Sequence, residues 1–231
     1  MKGDEGCCRQ FSCFRIDVGH VCIDPLFYSL DSIIEEDDLN RGCVDYLIMI
    51  LSIPYQAFEV DNIHITPFQM DRFGKPIARL SYKDQSIDFQ DVSILSPPLT
   101  VLDYHPESSR LRVDLSDHHM FQVKINTLHE YLISTIYVHQ QSFLNQKYRS
   151  YDFVKRLFYF LLDGSILSLF IYPAVQVKKQ NGTTCTISDL KKGDVIRCVI
   201  RIQGISQIVN KGVLRLRLHH SVPSTWLISS Q

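Results

Sequence analysis

The chain has 231 residues, 45% of them apolar, and a formal net charge of −1. That length is one large domain or two small ones, and that apolar share builds a real core, so a disordered or low-complexity chain is excluded. The charge is divided: residues 145–231 carry 13 Lys and Arg against 4 Asp and Glu, leaving 11 against 21 for residues 1–144.

Residues 1–60 form an acidic segment with its densest point at Glu35, Glu36, Asp37 and Asp38. The apolar run Tyr46 to Ile53 predicts that this segment packs on the rest of the chain. The seven cysteines are odd in number; Cys7, Cys8, Cys13 and Cys22 cluster near His20 without zinc-finger spacing, so free thiols in a reducing compartment are expected. No positively charged stretch precedes an apolar leader, and no apolar run is long and uninterrupted enough for a membrane span, so a soluble intracellular protein is expected.

From Ile77 the texture is β-rich. Ile77 to Tyr82 and Ser86 to Phe89 flank a tight turn at Lys83-Asp84, and Val92 to Leu95 is a strand ended by Pro97-Pro98. Arg110 to Leu115 alternates, with Leu111, Val113 and Leu115 on one face. Met120 to Ile125 is read as another strand. Thr127 followed by Glu130 is a capping box opening a helix with Leu128, Leu132 and Ile136 on one face, running to about Gln146. His105, followed by Pro106, reads as loop. Basic and aromatic residues then interleave from Lys147 to Phe160, with Phe153, Phe158 and Phe160 read as core. Asp163-Gly164 is either a helix end or a hairpin turn. Ser165 to Tyr172 and Val175 to Lys178 are strands separated by Pro173. Asn181-Gly182 is a hairpin turn rather than a glycosylation site, leading to Thr184 to Ile187.

Lys191 to His220 is the most informative stretch. Ile196, Cys198, Ile200 and Ile202 alternate with Arg197 and Arg201; Leu214, Leu216 and Leu218 alternate with Arg215, Arg217 and His219. A period of two is a half-buried strand, so each strand buries aliphatics and displays guanidinium groups. An Arg-lined sheet face suggests a polyanion. Single strands of nucleic acid are held by cations along the phosphates and by aromatic faces under the bases. The candidate cations are Arg197, Arg201, Arg215, Arg217, Lys191, Lys192, Lys211, Lys147 and Arg149. The candidate aromatics are Tyr148 and Tyr151, which serve either stacking or core, with Tyr159, Tyr172 and Trp226 also on offer. Catalysis finds no support: there is no G-x-S-x-G, no P-loop and no G-x-G-x-x-G, and the adjacent pairs His118-His119 and His219-His220 diverge in a strand or turn. A non-enzymatic protein without cofactor or metal is expected.

The short strands with one inserted helix suggest a mainly β protein, an OB-like antiparallel barrel spanning 61–231 behind the acidic extension of 1–60. The segment order adds to this. Ser81-Tyr82-Lys83-Asp84, Ile87-Asp88-Phe89-Gln90 and Pro97-Pro98, then Leu190-Lys191-Lys192-Gly193-Asp194, Cys198-Val199-Ile200 and Gln203-Gly204-Ile205 resemble the single-stranded DNA-binding proteins of nucleocytoplasmic large DNA viruses, which are similar to OB-fold proteins of some phages. The resemblance spans roughly residues 77–220. It implies stoichiometric coating of single-stranded DNA, with RNA as the alternative, at a nuclear or cytoplasmic site of viral replication and alongside replication proteins. In the phage relatives an acidic segment competes with DNA for the groove, and the segment around Glu35–Asp38 is the candidate for that part here. Family members often carry an aromatic after the Gly-Ile pair where this chain has Ser206, and one in the last strand where it has Leu214 or Leu216. The stacking aromatics must then lie elsewhere, in the Tyr148–Tyr159 stretch. The competing expectation is a viral structural or scaffold protein whose acidic and basic halves assemble copies into a homo-oligomer.

Overall fold

The computed structural model describes residues 52–85, 87–145, 149–210 and 212–230. The four clustered cysteines, His20, Glu35–Asp38, Lys147, Tyr148 and Lys211 lie outside the described residues. The chain is mainly β with few helices, arranged as one large mixed sheet.

Strands β1 (Ile53–Pro54), β2 (Ile63–Ile65), β3 (Gln69–Met70), β4 (Pro76–Lys83), β5 (Asp88–Phe89), β6 (Val92–Leu95), β7 (Leu99–His105) and β8 (Arg110–Asp114) come first. Three helices follow, α1 (His119–Val138), α2 (Gln140–Leu144) and α3 (Tyr151–Leu157). The chain then returns to strand as β9 (Phe158–Tyr159), β10 (Leu162–Asp163), β11 (Ile166–Phe170), β12 (Gln176–Lys179), β13 (Thr184–Thr186), β14 (Val195–Asn210) and β15 (Val213–Ser229).

Turn chemistry places the short hairpins. Asp84 Oδ1 accepts from Ile87 N at 2.7 Å, which closes the β4–β5 turn so that Tyr82 faces Phe89. Gly164 and Gly182 sit at φ of 60° and 80°, in the left-handed region that glycine adopts without steric cost. Asp163-Gly164 is therefore a hairpin turn, joining β10 to β11, and Asn181-Gly182 joins β12 to β13.

The β14–β15 hairpin is the spine, and it is longer than the alternation alone predicts. One edge of β14 serves three partners in succession: β7 at Val195 and Ile196, β6 from Val199 to Ile202, and β4 from Gly204 to Ser206. Gly204 is required there, because a Cβ would stand 2.3 Å from the Ala78 carbonyl oxygen of β4. In β15 the even positions Leu216, Leu218, His220 and Val222 are all buried, as the period of two demands. Pro223 is tolerated inside the strand because it falls at the register shift between Arg201↔Ser221 and Val199↔Ser224, where no ladder hydrogen bond is needed.

A closed OB-like barrel does not form. The sheet runs β10-β11-β8-β7-β14-β15-β12-β13, and no ladder joins β11 to β15. The outer edge of β15 is already occupied by parallel β9 at Leu216 and Arg217 and parallel β12 from Thr225 to Leu227. In the gap between them a side chain spans the seam: His220 Nε2 accepts from Phe170 N at 2.9 Å.

The helical region corrects the sequence reading. Met120 to Ile125 is the first part of α1, not a strand. Phe121, Ile125, Leu128, Leu132 and Ile136 are buried while Val123 is exposed, the signature of a 3.6-residue period. The alternation of Phe121, Val123 and Ile125 imitates a strand because i and i+4 are shared by both periods. Thr127 is no cap either. It lies inside α1, and its Oγ1 donates to Val123 O at 2.9 Å. The helix ends at Val138 rather than near Gln146; α2 follows after His139 and stops at Asn145, which is left-handed at φ 49°. His105 is not loop but the last residue of β7, with Nε2 3.0 Å from Asp103 Oδ1.

Helix α1 covers the buried side of the sheet and is clipped to the first described residues. Lys124 Nζ donates to Gln56 O at 2.9 Å, and Tyr131 OH donates to Ile63 O at 2.7 Å. Ile53, Phe58 and Val60 are buried in the same core as α1 and β14, so the end of the acidic segment is part of this body.

Candidate functional site

Residues directly opposite in a ladder point to the same face of the sheet. Register therefore assembles the outward face of β4, β14, β15 and β9. One row reads Ile77, Ser206, Arg217 and Tyr159; the next reads Arg79, Gly204 and His219; a third reads Arg201 and Ser221, with the buried Ser93 of β6 beside Arg201. Arg215 lies on the other side of the first row, two residues before Arg217 and opposite Ile208. From β9 to β4 is three strand spacings, about 14 Å. Within that width the face presents the guanidinium groups of Arg79, Arg201, Arg215 and Arg217 beside the half-exposed Tyr159 ring.

Each side chain has a local reason for its pose. The Arg215 guanidinium donates to the Arg156 carbonyl at the end of α3 and lies 5.9 Å from the Tyr159 ring centre, which orients that ring beside Arg217. Ser206 Oγ and the Arg217 carbonyl are 3.4 Å apart across the ladder. Arg201 Nε is buried and has no hydrogen-bond partner among the described residues. Burial first, then the charges of Arg217 and Lys75, hold His219 below the ordinary histidine value against the opposing pull of Asp71. The face thus keeps His219 neutral between fixed cations.

The predicted residues divide. Arg201, Arg215 and Arg217 are brought together. Arg197 faces the same way, opposite Trp226, but the buried pair Val199 and Ser224 separates it from Arg201. Lys191 and Lys192 are exposed in the turn before β14, where Lys191 N donates to Asp194 Oδ2 at 2.8 Å. Arg149 and Tyr151 lie at the start of α3. The Arg149 guanidinium is 4.9 Å from the Phe153 ring centre. Tyr151 OH donates to Glu130, whose other oxygen is 2.7 Å from Lys155 Nζ. Those two contacts, Lys155 first, hold the Glu130 carboxyl below the ordinary range, and the bond to Glu130 pushes the Tyr151 phenol up. Tyr151 serves the packing of α3 on α1.

One member of this face was not legible in the sequence, and one expected core residue is not buried. Arg79 sat in a recognised strand, but nothing local said that β4 would lie beside β14. Phe160, expected in the core, is 44% exposed, with its ring edge-on to His129 at 5.3 Å. Among the described residues no group of His, Cys, Asp or Glu is arranged to hold a metal ion, and no helix is long and apolar enough to cross a membrane.

Fold and face define a mainly β protein with a cationic, aromatic-edged sheet surface. No family model, curated protein or solved structure matches the chain.

Proposed function

We propose that this protein binds single-stranded nucleic acid on the outward face of β4, β14, β15 and β9 and catalyses no reaction. The observation that carries the reading is the register that sets Arg79, Arg201, Arg215 and Arg217 in neighbouring rows with Tyr159 at their edge. Phosphates would follow the guanidinium groups and one base would lie on Tyr159. The resemblance in segment order supplies the setting, in which the protein coats transient DNA strands at an intracellular site of viral replication.

The test is fluorescence anisotropy with labelled single-stranded DNA, duplex DNA and RNA over a salt series. Single strands should bind more tightly than duplex, with log affinity falling linearly with log salt. Absence of binding at low-micromolar protein and low salt refutes the reading. Salt-sensitive self-association in place of binding, seen by sedimentation, would favour assembly through the acidic and basic halves.

A further inference from the structure

The cationic face is short of aromatics on its β4 side, and the turn between β3 and β4 holds an exposed one. Phe73 is 71% exposed and Met70 is 73% exposed. An exposed phenyl ring on a floppy turn would be unremarkable, but this turn is tied at several points. Asp71 Oδ1 accepts from Phe73 N at 2.8 Å and from Lys75 N at 2.7 Å. Asp71 N donates to Lys75 O at 2.8 Å and Gly74 N to Asp71 O at 3.0 Å, with Gly74 left-handed at φ 73°. The carboxylate is thus spent on amides of the turn, while Arg72 and Lys75 stay exposed. The Arg72 guanidinium lies 4.8 Å from the Phe73 ring centre.

The turn is continuous with the cationic face. Met70 pairs with Pro76, and the next residue, Ile77, opens the row that ends at Arg217 and Tyr159. The charges of Lys75 and Asp71 reach His219 in the adjoining row.

We propose that Phe73 is a base-stacking residue. One side of its ring is covered by the Arg72 guanidinium, and the other takes a base of the strand whose phosphates lie on Arg79, Arg201 and Arg217. The proposal rests on the single-strand reading above and supplies a second stacking position, on the side of the face opposite Tyr159. A rigid turn suits this role, because holding the ring in place beforehand removes an ordering cost from binding. Cations flanking an aromatic ring suit a polyanion with flat bases better than an apolar protein surface.

The experiment is anisotropy with labelled oligothymidylate on the full chain, comparing wild type with F73A, F73L and F73W over a salt series. Phe73 is exposed and outside the core, so the variants should keep the wild-type melting curve. F73A and F73L should each weaken binding roughly 5- to 150-fold, the cost of losing one base–aromatic stack. Their salt slope should match wild type because no charge is removed, and F73W should bind at least as tightly as wild type. F73A binding as tightly as wild type would overturn the proposal, and F73L doing so would assign Phe73 to a generic apolar contact. If wild type binds and F73A is unchanged, only this inference fails; if wild type binds no strand, both readings fail.

Discussion

Mild acid should destabilise this protein through two buried histidines before its carboxylates titrate. His129 and His220 are each only 3% exposed, and burial pushes both down from 6.5 to about 4. His220 is held in one tautomer: Nε2 accepts from Phe170 N at 2.9 Å, so the proton sits on Nδ1, 3.2 Å from the Leu218 carbonyl. Neither ring nitrogen of His129 has a hydrogen-bond partner among the described residues. Because the folded value lies below the unfolded one, the unfolded chain binds more protons between them. Stability is therefore complete above the ordinary histidine value, declines as pH falls through the window down to about 4, and is flat below it. A fall from 6.5 to about 4 works out at about 2 kcal/mol lost per histidine at pH 5, and about 3 kcal/mol at the plateau. The two costs do not simply add, since a charge on His129 opposes a charge on His220.

The assay is urea unfolding, followed by far-ultraviolet circular dichroism, at pH 7.5, 6 and 5. The carboxyls of Asp71, Asp114, Glu130 and Asp189 are all held below their ordinary values, so their contributions are lost only at still lower pH. The variant H129F separates the two histidines. It keeps a ring against Phe160, removes buried nitrogens that have no hydrogen-bond partner among the described residues, and should be neutral or stabilising at pH 7.5 while reducing the loss at pH 5. Equal stability at pH 7.5 and pH 5 would refute the reasoning, as would an unchanged acid loss in H129F.

G204A should destabilise the protein by about 1–3 kcal/mol, because the added methyl meets the Ala78 carbonyl and forces β4 from β14; an unchanged urea midpoint would contradict this. R217A should weaken binding of every single strand alike and lower the salt slope by about one, reflecting one phosphate contact, whereas R149A should leave the slope unchanged. Equal slopes in wild type and R217A would remove Arg217 from the interface.

Much of the spine was legible because its signals are local. The alternation in Ile196–Ile202 and Leu214–Leu218 depends only on neighbours two residues apart, and the turns at Asp163-Gly164 and Asn181-Gly182 depend on residues that accept a left-handed backbone. Met120 to Ile125 was misread because both periods bring Phe121 and Ile125 to one face, and only the wider context of Leu128 and Leu132 separates them. Phe73 carried no signal at all: it sits among charges without periodicity, and its meaning depends on what the turn lies beside.

By itself, then, the sequence determined that two strands would each bury aliphatics and turn arginines outward, since side chains alternate wherever the backbone is extended. Tertiary structure decided which arginines share a surface. Arg79 joins Arg201 and Arg217 because β14 is long enough to pair with β4 beyond β6, and Arg197 is set apart because Val199 and Ser224 are buried between them. Tertiary structure also left the sheet open, with β9 and β12 occupying the edge of β15 that a closed barrel would have needed for β11. Pairing between strands distant in the chain depends on competition for edges, and no residue carries a local mark of that outcome.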